Sequence, residues 1–336
     1  MKKFFYCLTI LAASIAISKN TCAQHKEIYS LDKKISLPGN GGYDYLFIDK
    51  ASNRLYISHG TSINVIDLTT EQLIGTISDL QGDHGIAIAS STGQGFISDG
   101  KANAVVVFDP VSLKKIKVIP LSGQKPDAII YDPFSNRVFA FNGGSNNTSV
   151  IDVNSLTEIK TIPLNGAPEF AVADGHGKIY NNLEDKNILK VINSKSLTTT
   201  AAYPLTPCGG PTGITLDSVN QRLFTVCREN KGMSVIDINT GKIVATIPIG
   251  AGVDAVAYDA VTKLIFCSNG DGTTTIIKQE TADKYSAVQT LATQTRAKTL
   301  ALDTNTHKIY LSVVDFEKGT KNVVPESFKV LVYKMN

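Results

Sequence analysis

One recurring position of this sequence carries ionisable side chains six times out of seven: Asp44, His84, Asp127, Glu169, Asp254 and Lys298, with Thr212 as the seventh. A purely structural turn would more often carry Gly, Ser or Asn there. A ring of mixed charge suits a small polar ligand, a metal ion or a peptide end. A second column, closing the next apolar run, reads His59, Asp99, Asn142, Leu183, Cys227, Ser268 and Val313, followed one place on by Glu184, Arg228 and Asn269. The candidate ligand-binding set is therefore Asp44, His59, His84, Asp99, Asp127, Asn142, Glu169, Glu184, Arg228, Asp254, Asn269 and Lys298. His59 and His84 could also meet Asp99 or Asp127 in a metal constellation. The plainer alternative is that these polar groups are solvated or bond neighbouring loops.

The elements that must position them repeat from end to end. The first apolar run of each unit starts YDYLFID at Tyr43, DHGIAIA at Asp83, PDAIIYD at Pro126, PEFAVAD at Pro168, PTGITLD at Pro211, VDAVAYD at Val253 and AKTLALD at Ala297, with 40 to 44 residues between successive starts. From Thr212 to Asp254 the unit is cleanest, with runs at Ile214 to Leu216, Leu223 to Val226, Met233 to Ile236 and Ile243 to Ile247. Their β-branched and aliphatic content predicts four antiparallel strands. Seven such units predict an all-β, seven-bladed β-propeller with four-stranded blades. The seventh unit lacks a fourth run before Asn336, and IYSLDKKISLP from Ile28 matches that missing piece. The N-terminal strand is thus expected to close the last blade and remove an open edge.

The runs VIDLTTEQLIGTI from Val65, VIDVNSLTEIKTIPL from Val150 and VIDINTGKIVATIPIG from Val235, with EFAVADGHGKIY from Glu169 and CGGPTGITLD from Cys208, carry a resemblance. Over nearly the whole mature chain the sequence resembles the YVTN-repeat, YncE-like propellers of bacterial envelopes, surface-layer-type proteins. That resemblance implies the fold and an envelope setting, and implies no particular reaction. With no Trp in the chain, neither a WD-dipeptide blade nor a Trp-docked quinoprotein blade is available.

The 336 residues are 43% hydrophobic and 19% charged, the balance of an ordinary soluble protein. Lys2, Lys3, the apolar stretch from Phe4 to Ile17 and the small residues before Gln24 predict a signal peptide over 1–23 and a single domain over 24–336. A periplasmic or secreted location follows, without embedding in the membrane. Removing the leader takes away Lys2, Lys3 and Lys19 and no acid, leaving 30 basic against 30 acidic residues. That balance argues against nucleic acid as a partner.

Of the three cysteines beyond the leader, Cys208 enters the fifth unit and Cys227 ends its second strand. Both are expected on one face of one blade, and so to pair as a disulfide. Asp49, Asp132, Asp174, Asp217, Asp259 and Asp303 follow the first strand, and Asp67, Asp109, Asp152 and Asp237 close the third. All ten are expected to cap turns. His176 and His307 fall in the first-turn loops and are expected to stand apart from chemistry. The Asp271 and Gly272 pair signals a hairpin before it signals a cation loop, and the insertion from Val313 to Ser327 is expected to overhang the charged ring.

There is no GxSxG elbow, HExxH, P-loop or paired CxxC. The first expectation is therefore a non-catalytic binding or scaffold protein, with no cofactor, working as a monomer on a small polar ligand or an envelope protein. The alternative is a metal-dependent, lactonase-like hydrolase in which Asp44, His84, Asp127, Glu169 and Asp254 hold the cation that polarises a carbonyl. Nucleic-acid binding is a distant third.

Overall fold

Turn chemistry sets the strand boundaries. Asp217 accepts hydrogen bonds from the Val219 and Asn220 amides, both at 3.1 Å. Asp49, Asp132, Asp174, Asp259 and Asp303 fold back on their own backbone in the same way. Asp67, Asp109, Asp152 and Asp237 do so after the third strand. Such short reversals leave consecutive strands as antiparallel neighbours. At Gly241 the reversal needs φ of +71°, and a Cβ there would meet the Tyr203 ring at 2.1 Å.

The computed structural model describes Met1, residues 27–39 and residues 41–336. Met1 apart, the leader expected over 1–23 lies outside the described residues, as does His25. Within them the strands form seven four-stranded antiparallel sheets, which make a seven-bladed β-propeller. Blade one comprises Leu46–Asp49, Arg54–Ser58, Ile63–Asp67 and Gln72–Ile77. Blade five comprises Pro211–Asp217, Arg222–Cys227, Gly232–Asp237 and Lys242–Pro248. Among the described residues the helical structure is one 3-10 turn, Glu184–Lys186.

Blade seven is assembled from both chain ends. Tyr29–Ser36 pairs with Lys329–Met335, placing Tyr29 opposite Met335 and Ser36 opposite Lys329. Tyr29 is fully buried, edge-on to Phe266 of blade six with centroids 5.1 Å apart, and its hydroxyl donates to the His307 carbonyl at 2.6 Å. The Gln289 side-chain oxygen accepts from the Ile28 and Tyr29 amides at 2.9 and 2.8 Å. Charge adds to the closure, since Asp32 lies 2.8 Å from Lys334 and 3.4 Å from Lys308, which also reaches Glu71 of blade one at 2.7 Å.

The core is distributed between blades. Ala128, Phe139 and Val150 of blade three pack on Ile179 and Ile192 of blade four, and six comparable clusters complete the circle. A lone sheet would leave these faces in water. The outermost strand of each blade is the most solvated, as in Lys115–Pro120, where Ile119 alone is buried.

Candidate functional site

In five blades the pairing of the first two strands slips in register at the charged lead position. The slips fall between Asp83 and Ile86, Pro126 and Ile129, Pro168 and Ala171, Pro211 and Ile214, and Val253 and Ala255. A bulge leaves a residue out of the ladder and re-aims its side chain. His84, Asp127, Glu169, Thr212 and Asp254 all sit in these slips. Neighbouring blades pin the same segment: Thr299 Oγ1 donates to the Asp44 carbonyl and Asn182 Nδ2 to the Thr212 carbonyl, both at 2.7 Å. Ser98 and Ser268 do the same for the carbonyls of Asp127 and Lys298.

The lead residues converge into two electrostatically different sectors. In one, Asp254 accepts from both Arg228 and Lys298, while Arg228 also donates to Glu184 at 2.6 Å. Burial pulls the pKa of Arg228 down, but Asp254 and Glu184 outweigh it and hold it up. Lys298 is likewise held up by Asp254 and Asp44 against burial. This sector is largely self-neutralised.

The other sector is acid-rich. His84 Nδ1 lies 2.8 Å from Asp44 Oδ2 and 3.8 Å from Asp127 Oδ1, with the three groups supplied by blades one, two and three. Burial pulls the imidazole pKa down, but Asp44, Asp127 and Asp83 together raise it. Burial followed by repulsion from Asp44 raises Asp127, against the pull of His84 and Tyr45. Glu169 is raised by burial and then by Asp127, Glu184 and Asp254, with Arg228 as its opposing cation. Counted together, the ring holds five carboxylates against the permanent cations Arg228 and Lys298 and the titratable His84.

Four residues of the sequence-derived set do not face this ring, because packing or nearby loops already occupy each of them. His59 is 1% exposed and stacks on Phe328 with centroids 3.7 Å apart. Buried Asp99 accepts from the Gln81 and Gly82 amides. Asn142 donates to Asn147 and Ser149, and Asn269 to Thr273 and Thr275. Of the expected meeting of His59 and His84 with Asp99 or Asp127, the structure brings His84 and Asp127 together and adds Asp44, while His59 and Asp99 stand apart. The 313–327 insertion packs on the loop before Lys298, with Arg296 4.1 Å above the Phe316 ring and Gln294 donating to the Val314 carbonyl at 3.0 Å. His307, on the far face, is an interblade pin, its Nδ1 2.6 Å from Asp259 Oδ2.

Two aromatic residues that sequence reasoning passed over divide the channel. The position after each lead residue reads Tyr45, Gly85, Ala128, Phe170, Gly213, Ala255 and Thr299. Most are small because the strands crowd together, and a Cβ on Gly213 would lie 2.7 Å from the Asp254 carbonyl. Tyr45 and Phe170, from blades one and four, meet across the axis with centroids 4.6 Å apart. The signal was available as two rings in a column of small residues. Beyond them the channel is apolar, and a cavity of about 570 Å³ opens on the far face, lined by Phe47, Ile88, Ile130, Val172 and Leu216 among others.

No family model matches this sequence, and no curated protein matches it. Solved structures do match in shape. The RRP9 WD40 repeats align over 90% of this chain and 97% of theirs at 9% identity, with a TM-score of 0.77. A structure of U3-55K aligns over 89% and 98%, at 9% identity and a TM-score of 0.75. A chain of Kuenenia stuttgartiensis hydrazine synthase aligns over 85% and 94%, at 14% identity and a TM-score of 0.70. At these identities the likeness is one of fold. One of the three is a set of WD40 repeats, yet this chain reaches a similar shape without any Trp.

The ring lies beside a covalent tie. Cys208 and Cys227 are joined by a disulfide with Cα atoms 5.2 Å apart, linking the loop into blade five to the strand end before Arg228. Cys267 is free and buried, and burial pushes its thiol pKa far up, away from nucleophilic chemistry.

Proposed function

We propose that this chain is an extracytoplasmic propeller of the YVTN-repeat type that binds a small, positively charged polar ligand at the acid-rich sector of its ring. The observation that carries the reading is the imbalance just described: Asp44 and Asp127 share His84 and Glu169 is crowded against Asp127, while Arg228 and Lys298 are already engaged by Asp254 and Glu184. A cation entering from solvent would relieve that crowding, whereas an anion would meet cations already paired. The disulfide and the apolar, lysine-flanked start of the chain support export. Positions defined by interblade hydrogen bonds favour recognition with little rearrangement.

Calorimetric titration of the mature protein with putrescine and spermidine, using citrate as the anionic control, tests this. Saturable binding of the amines that weakens roughly tenfold in Asp44→Asn and Glu169→Gln is expected. Preference for citrate, or amine binding indifferent to both substitutions, would remove the site.

A further inference from the structure

We infer that Asp44, His84 and Asp127 form a binding site for one divalent transition-metal cation, of the Mn²⁺ or Zn²⁺ class. The inference rests on the acid-rich reading of the ring and narrows it to a ligand.

Three features carry it. The first is spacing. Donors arranged tetrahedrally about 2.0–2.1 Å from a cation lie about 3.3 Å from one another. The observed separations of 2.8 Å from His84 Nδ1 to Asp44 and 3.8 Å from His84 Nδ1 to Asp127 bracket that value, and one donor atom from each of the three residues lies within 4.8 Å of the other two.

The second is unsatisfied polarity. Asp127 Oδ1, 3.8 Å from His84 Nδ1, is closed off from solvent and has no hydrogen-bond partner, although the side chain as a whole is 39% exposed. Asp83, only 4% exposed, accepts from the His59 amide through Oδ2 at 2.8 Å, but its Oδ1 is also without a partner, and it acts electrostatically on His84. Buried acceptors are rarely left in that state.

The third is preparation of the imidazole. A Cβ on Gly100 would lie 2.9 Å from His84 Cδ2 and Nε2, so the missing side chain makes room for that edge of the ring against the backbone. The ring's Nε2 edge is turned to that backbone, and Nδ1 is left facing the two carboxylates. One imidazole with two carboxylates favours Zn²⁺ or Mn²⁺ over Ca²⁺, which prefers oxygen alone. With three protein ligands, the remaining coordination positions would belong to water or to a donor arriving through the channel mouth.

Equilibrium dialysis of the full mature chain against Zn²⁺, Mn²⁺ and Ca²⁺ with elemental analysis, followed by calorimetry, is the test. One Zn²⁺ or Mn²⁺ per chain is expected, with weaker Ca²⁺ uptake. Affinity should fall more than roughly tenfold in His84→Gln and in Asp127→Asn, and be unchanged in Asp174→Asn on the far face. Bound Mn²⁺ should broaden the His84 ring resonances and spare those of His307, a readout that does not depend on how well a variant folds. Stoichiometric uptake that persists in both site variants, or broadening centred on another histidine, overturns the assignment. If no metal binds while putrescine and spermidine do, the metal site is refuted and the cation-binding ring stands. If neither binds, both are refuted.

Discussion

Tyr45 and Phe170 come from blades one and four and meet across the channel, tilted by 35° with ring centroids 4.6 Å apart. This contact separates a charged mouth from an apolar one. Burial raises the Tyr45 hydroxyl well above its ordinary pKa, and the surrounding Asp127, Asp44 and Glu169 raise it further. The aromatic floor thus lowers the local dielectric beneath the charges, which strengthens any interaction made above it.

Phe170→Ala should open the two halves of the channel to each other. Because Phe170 is only partly buried, the expected loss is about 1–3 kcal/mol, below that of a fully enclosed Phe. Urea unfolding measures it. An unchanged midpoint would show that the ring pair does not support the fold.

Closure by the N-terminal strand predicts a stability cost far from any ligand. Tyr29→Ala removes an enclosed ring, its contact with Phe266 and the hydrogen bond to His307, and should cost about 3–5 kcal/mol. Leu31→Ala, on an exposed position of the same strand, should change stability by less than about 0.5 kcal/mol. Equal effects of the two substitutions would contradict the closure.

Asp254 is the shared acceptor of Arg228 and Lys298, so Asp254→Ala leaves two cations facing each other. Both remain about two-fifths exposed, at 39% and 41%, and solvent screening limits the expected loss to about 1–2 kcal/mol. Adding Lys298→Met should recover part of it. A double-mutant cycle with zero coupling would show that the triad is ornamental to the fold.

Removing the disulfide with Cys208→Ala and Cys227→Ala should destabilise the protein by roughly 2–4 kcal/mol, given the 19-residue separation. Reduction of the unmodified protein should reproduce the shift in thermal midpoint. If dithiothreitol leaves the midpoint where it was, the bond does not constrain the chain.

Burial pushes Asp83 up to about 6, against hydrogen bonds from its own and the His59 amide. An acid raised in the folded state binds its proton more tightly there than in the unfolded chain. Its contribution is therefore complete below about pH 4 and is lost as pH rises through about 6, amounting to at most about 3 kcal/mol. Asp83→Asn keeps an acceptor for the His59 amide and should flatten the stability profile between pH 4 and 6. A profile parallel to that of the unmodified protein would exclude Asp83 as the source.

The sequence by itself determined the blade count, the strand order, the turn aspartates and the origin of the closing strand. These follow from local chemistry: short apolar runs, Asx turns that recur about every 42 residues, and a fourth run missing at one end and present at the other. It also supplied the column from which the ring is built. What only tertiary structure decided is which polar side chains in that column stay free. His59 and Asp99 have the same residue types as His84 and Asp127, yet packing seals the first under Phe328 and backbone amides claim the second. The sorting of Asp254 toward Arg228 and Lys298, leaving Asp44, His84 and Asp127 together, depends on register slips and on contacts between residues 26 to 44 apart on different blades. One-dimensional spacing places residues at the same level of a ring, but their pairing is set by long-range packing that no local pattern encodes.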